Sequence, residues 1–259
     1  VGYLVLGAFA GMLAGLFGIG GGLIIVPVLV LSFHAQGVAP EIITHLALGT
    51  SLPTMIFTGF SSLRAHQEAG AVDWVMIRRL GAGMLIGAWL GGMTANLLSA
   101  STLNIIIGCF AWTMALQMGL NLRPKAERHL PGPVGTGIAG AVIGWLSALF
   151  GIGGGSMTVP YLSWNSVPMR NAVAASAACS MPIALAGSLS YLYAGWGHTD
   201  LPEWSVGYIY LPALLGIVLT STQFARVGAR LAHKLSPKRL KQAFALLMLV
   251  VGAKFMLFS

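Results

Sequence analysis

The twelve residues LFGIGGGLIIVP at positions 16–27 return as LFGIGGGSMTVP at 149–160, identical at nine of the twelve positions. Four glycines in five residues break a helix, because glycine has more backbone freedom to lose than any other residue. The break matters because of what surrounds it. The 259-residue chain is 56% hydrophobic and 8% charged, with a mean hydropathy of +0.83. A soluble domain carries about a quarter charged residues, so this chain has too little polar surface to cover a water-soluble globule. Inside a bilayer only helices and closed barrels satisfy the backbone. The apolar blocks are too long for barrel strands and show no strand-like alternation. The expectation is an all-α, polytopic membrane protein whose backbone breaks twice in the same way.

The likeness extends beyond the glycines. Gly2, Gly7, Gly11 and Leu13 match Gly135, Gly140, Gly144 and Leu146 at the same offset of 133. TSLP at 50–53 lines up with CSMP at 179–182, VDW at 72–74 with PEW at 202–204, and LLSASTL at 97–103 with KLSPKRL at 234–240. The chain therefore reads as two copies of one unit. Repeat 1 covers 1–120, with a glycine-turn hairpin at 1–33 and spans near 43–63, 80–98 and 103–120. A cytoplasmic linker covers 121–133. Repeat 2 covers 134–259, with a hairpin at 134–165 and spans near 171–195, 206–224 and 242–258.

The charges decide how the glycine stretches cross the membrane. If each crossed once, the basic loop residues would split seven against six, with no bias. If each turns back at its glycines, Arg64, Arg78, Arg79, Arg123, Lys125, Arg128, Arg170 and the six basic residues between 225 and 241 share one side. The opposite loops, 34–42, 99–102 and 196–205, hold no Lys or Arg, only Glu41, Asp200 and Glu203. Positively charged loops face the cytoplasm, so the hairpin model is preferred. Lys254, near the end of the last helix, is expected to snorkel outward. The arm 156–165 is about 15 Å long as a helix, half of a hydrocarbon core of about 30 Å. Each unit then makes an odd number of crossings, the second unit is inverted, and both chain ends lie outside the cytoplasmic membrane.

At the start of a half-helix several N–H groups point along the axis, and the helix dipole adds partial positive charge. Glycines let an anion approach that backbone without a Cβ in the way. The candidate substrate site is therefore Gly20, Gly21 and Gly22 with Gly153, Gly154, Gly155 and Ser156. The competing reading is close helix packing, which the four-residue spacing of Gly7, Gly11 and Gly15 fits better than three glycines in a row. Thr50 and Ser51, and Cys179 and Ser180, place small polar groups beside a proline in a full span. The hydroxyls of Thr50, Ser51 and Ser180 either donate to the anion or bond back to their own helix. Helix–helix hydrogen bonds explain Asn171 and Gln117 at least as well as a ligand does.

The duplicated FGIGGG…VP turn, followed by TS in the next helix, resembles the TauE/SafE family of sulfite exporters and sulfur-anion permeases, over essentially the whole chain. The resemblance rests on Gly18–Gly22 with Pro27, Gly151–Gly155 with Pro160, and Thr50–Ser51. In the second unit the TS pair reads Cys179–Ser180, a departure that bears on the shape of the site. The resemblance implies transport of sulfite, organosulfonates or related small anions.

None of the six acidic residues lies within an expected span, so the buried carboxylate relay of a proton pump is absent, and so is a Walker sequence. An anion leaving a cell that is negative inside gains about 2.3 kcal/mol per charge per 100 mV. The expectation is a secondary transporter, not an enzyme, that moves the anion outward by alternating access without a cofactor or metal. An anion channel is the nearest alternative. A membrane-embedded hydrolase is disfavoured, because paired aspartates are missing from the spans and the histidines fall at loops or span ends. The basic residues lie in loops that face anionic lipid, so membrane lipid and a small anion are the expected partners and nucleic acid is not. Oligomeric state is not legible. Cys109 and Cys179 lack paired spacing, so neither a disulfide nor a zinc site is expected, and Cys109 reads as a small buried hydrophobe. His45 reads as a surface histidine at the outer end of a span.

Overall fold

Proline and small acidic residues open several of the helices. Asp73 caps one of them, its Oδ1 accepting from the amides of Val75 and Met76 at 3.0 and 3.1 Å. Pro40 and Pro133 each take the first helical position, where a missing N–H costs nothing. The computed structural model describes residues 2–17, 22–68, 70–120, 129–232 and 237–257. Among them are ten helices: α1 (Gly2–Phe17), α2 (Gly22–Ala35), α3 (Pro40–Glu68), α4 (Trp74–Leu97), α5 (Ala100–Gly119), α6 (Pro133–Leu149), α7 (Gly155–Trp164), α8 (Met169–Ala194), α9 (Leu211–Ala232) and α10 (Pro237–Leu257). Four of them, α3, α4, α5 and α8, are long and apolar enough to cross a membrane, and α3 is the most enclosed of these.

The short helices are α2 and α7. With 10 residues α7 is about 15 Å long, too short to cross a bilayer core. With 14 residues α2 is about 21 Å. Tyr3 donates to Gln36 Oε1 at 2.7 Å, which brings the start of α1 and the end of α2 together. Their far ends flank residues 18–21, which lie outside the described residues.

Helix pairing follows stripes of small residues. Gly83, Gly87 and Gly91 of α4 recur every fourth residue on one face. A Cβ on any of them would run into the backbone of α6 at Gly137, Ala141 or Trp145. Gly140 and Gly144 of α6 return the contact against Leu80 and Met84 of α4. Gly7 and Gly11 of α1 close in the same way on Ile217 and Ser221 of α9. The other principal pairs are α3 with α8, α4 with α8, and α5 with α10. Matching α1–α5 in order with α6–α10 turns the α1–α9 pair into α6–α4. It turns the α3–α8 and α5–α10 pairs into themselves.

Three readings are corrected. Residues 206–210 do not start a span: Ser205–Val206 (β1) and Ile209–Tyr210 (β2) pair antiparallel, and α9 begins only at Leu211. Gly207 at φ +56° makes that tight turn, and its backbone seats on Leu192 of α8. Cys179 is buried, but Cys109 is exposed on α5, where an apolar thiol suits a lipid-facing surface as well as a core. His45 is 5% exposed rather than at the surface. Its Nε2 donates to the Ala95 carbonyl at 2.9 Å, and its ring lies 5.3 Å from that of Tyr208. The start of α3, the end of α4 and the β ribbon thus meet at one end of the bundle.

Candidate functional site

The second glycine turn is built by local rules. The amide of Ile152 donates to the Ser147 carbonyl at 2.9 Å, and the amide of Gly151 to that of Ala148 at 3.2 Å. This is a Schellman closure of α6, with Gly151 in the left-handed region at φ +63°. Three residues later Gly154 is again left-handed, at φ +72°, and serves as the N-cap of α7. Its carbonyl accepts from Met157 at 3.0 Å and from Thr158 at 2.8 Å. No side chain caps α7, so the opening amides of a half-helix face the interior without an intrahelical partner. Phe150 stacks on Phe110 of α5 at 4.1 Å and holds the turn from outside.

The first hairpin meets this turn directly. A Cβ on Gly22 would fall on Met55 Cε, 2.5 Å from the Gly151 carbonyl oxygen and 2.9 Å from Ile152 Cα. Met55 also reaches across to Gly153, where its Sδ lies 3.2 Å from the Cβ position. One thioether from α3 therefore lies against both glycine segments.

Ser51 Oγ bonds to the Leu48 carbonyl at 2.8 Å and the Gly151 carbonyl at 3.1 Å, tying α3 to the turn. Ser180 of α8 packs its Cβ 3.4 Å from the Cβ position of Gly153, while its hydroxyl donates to Ala177 O at 2.6 Å. Thr50 turns elsewhere and accepts from the Tyr210 amide at 3.0 Å, anchoring β2. Cys179 is fully buried. Gly155 and Ser156 are half-buried on the first turn of α7, and the Ser156 hydroxyl is enclosed without a hydrogen-bond partner. Gly20 and Gly21 lie outside the described residues. The structure thus brings Gly22, Ser51, Gly151, Gly153, Gly154 and Ser180 to one place and directs Thr50 to the ribbon.

Sequence reading missed Met55, Ser147 and Thr158. Ser147 and Thr158 are fully buried, and neither hydroxyl has a hydrogen-bond partner. Their signal in the sequence is their spacing: seven residues before and four after Gly154, on one helical stripe each. Outside the spans, burial in the β ribbon raises the Tyr208 phenol above its ordinary value and keeps it neutral. A groove of about 590 Å³ between α4 and α8, lined by Leu85, Trp89 and Leu189, is apolar and lies away from the glycine turns.

The family model "Sulfite exporter TauE/SafE" matches residues 3–255. A "Probable membrane transporter protein" of Haemophilus influenzae is 37% identical over 98% of this chain and 97% of its own length. Probable membrane transporter proteins of Methanocaldococcus jannaschii and Bacillus subtilis are each 28% identical. They cover 96% and 97% of this chain, and 92% and 95% of their own lengths. No solved structure matches the chain.

Proposed function

This chain belongs to the sulfite exporter TauE/SafE family, and from that membership we propose that it is a secondary transporter of a small sulfur-containing anion. It works outward across the cytoplasmic membrane, by alternating access between two inverted repeats, 1–120 and 134–259, joined by the linker 121–133. The observation that carries this reading is the contact of Gly22 with Gly151 and Ile152, where one hairpin meets the uncapped start of the other's half-helix. A helix N-terminus is an anion site by virtue of its amides and dipole.

The packing that exchanges the repeats supports the inverted arrangement. Tyr3 at the start of α1 packs on Tyr210, beside the ribbon and the start of α3. Gly137 at the start of α6 lies by Arg79, at the opposite end of α4. The two hairpins thereby open toward opposite faces, and both chain ends lie outside. The described arginines Arg64, Arg78, Arg79 and Arg170 are exposed on helix ends at the α6 side, as a cytoplasmic face requires. Export down the membrane potential needs no coupled proton.

A thermal-shift panel of sulfite, sulfate, thiosulfate, sulfoacetate and taurine on the purified chain identifies the ligand. Liposome flux of the best binder is expected to follow an imposed voltage and not a pH gradient. A strict proton requirement would overturn the uncoupled mechanism, and ion-channel turnover rates would overturn alternating access.

A further inference from the structure

Several hydroxyls in the described spans bond back to their own helix. Thr94, Thr113, Ser180, Thr220 and Thr222 each donate to a carbonyl three or four residues earlier. Ser147, Ser156, Thr158, Ser188 and Ser221 are enclosed without a partner, and of these Ser147 and Thr158 flank Gly154. Both are fully buried, both are without a partner, and both border the N-cap of α7. Their oxygens lie 3.4 and 3.5 Å from the Cβ position of Gly154. In an apolar interior an unbonded hydroxyl is costly, yet each of these two has a carbonyl of its own helix within reach in principle. Both oxygens lie instead beside the uncapped start of α7.

We infer that the oxyanion is held by the second hairpin, between the Ser147 and Thr158 hydroxyls and the opening amides of α7, and that the site accepts one negative charge and not two. The inference rests on the anion-transport reading above and adds to it a binding set and a charge selectivity. The atoms closest to the Cβ positions of Gly151, Gly153 and Gly154 belong to Val26, Leu48, Ser51, Met55, Ser147, Thr158, Ser180 and Ile183, with no cation among them. A helix end offers about half a positive charge. Two hydroxyl dipoles add to this but do not supply a second full charge. Desolvating a dianion there is correspondingly unfavourable.

The first hairpin offers no matching hydroxyls. At the offset of 133, Ser147 corresponds to Ala14, Ser156 to Leu23 and Thr158 to Ile25, none of which has a hydroxyl. Leu23 and Ile25 are buried.

The test uses the full chain with methanesulfonate and sulfate, tetrahedral ions that differ in charge. Calorimetric binding in detergent and flux in liposomes are measured side by side. Methanesulfonate is expected to bind at least about tenfold more tightly than sulfate. Ser147→Ala and Thr158→Val each weaken it about tenfold, the worth of one charge-assisted hydrogen bond. Thr158→Ser, which keeps the hydroxyl, restores it and shows that the loss is not misfolding. Unchanged affinity in the alanine and valine variants, or equal binding of sulfate, overturns the inference while wild-type flux leaves the transport reading intact. Binding that depends on these hydroxyls without any wild-type flux overturns the transport reading and leaves the site. Neither binding nor flux overturns both.

Discussion

Gly22 and Gly151, which come from different repeats, touch backbone to backbone: a Cβ on Gly22 would stand 2.5 Å from the Gly151 carbonyl oxygen. The contact joins the start of α2 to the end of α6, and Met55 closes it from α3.

Gly22→Val is expected to lower stability by about 1–3 kcal/mol, the usual cost of overpacking. The side chain would displace Met55 and push on a carbonyl that cannot move without opening the Schellman closure of α6. Thermal unfolding in detergent measures this. Gly2→Ala is the control, since nothing lies within 4 Å of that Cβ position, and it is expected to leave the melting temperature unchanged.

Gly154→Ala combines a left-handed φ of +72° with a Cβ 2.6 Å from Ile183 Cδ1. The backbone term alone is about 1–2 kcal/mol. Adding Ile183→Val shortens the clashing side chain and is expected to recover part of the loss, which a double-mutant cycle reads out. Full additivity of the two changes would show that the clash is absent.

Ser51→Ala removes the hydrogen bond at 3.1 Å that joins α3 to the second turn, together with the local one to Leu48. Loss of about 0.5–1.5 kcal/mol is expected. Flux is expected to change as well, because the bond holds one hairpin to a span of the other repeat.

Gly87→Leu places a side chain on the backbone of Ala141, at the α4–α6 seam. This seam has no slack, and failure to fold or a shift of more than about 3 kcal/mol is expected. Gly91→Ala, with its closest backbone contact also on α6 at Trp145, is expected to be milder, since a methyl is the smallest addition. Unfolding in detergent ranks the two.

Cysteine labelling checks the topology. With Cys109 and Cys179 replaced, single cysteines at 166 and 200 are expected to react from opposite faces of right-side-out vesicles. Labelling from the same face would remove the inverted arrangement.

Hydropathy and glycine pattern locate helices well because each depends on neighbours along the chain. The spans read as 43–63, 80–98, 103–120 and 171–195 lie at α3 (Pro40–Glu68), α4 (Trp74–Leu97), α5 (Ala100–Gly119) and α8 (Met169–Ala194). The second glycine break falls between α6 and α7, because left-handed backbone at Gly151 and Gly154 is a local demand that glycine alone meets cheaply. The β ribbon was not legible. Val206 to Tyr210 is apolar enough for a span, and only its seating on Leu192, Gly49 and Thr50 makes a turn there the better solution.

The sequence by itself determined an apolar, helical, duplicated chain that breaks at Gly151–Gly155, and it marked Gly7 and Gly11 as a packing stripe. Tertiary structure decided which surfaces meet: Gly7 with Ile217, Gly22 with Gly151, His45 with Ala95, Met55 between two turns. It also decided that Ser147 and Thr158 keep unpartnered hydroxyls beside Gly154 while Ser51 and Ser180 do not. The physical reason is range. Hydropathy and backbone conformation act between near neighbours in the chain, whereas close packing and hydrogen-bond satisfaction act between residues that only the fold brings together.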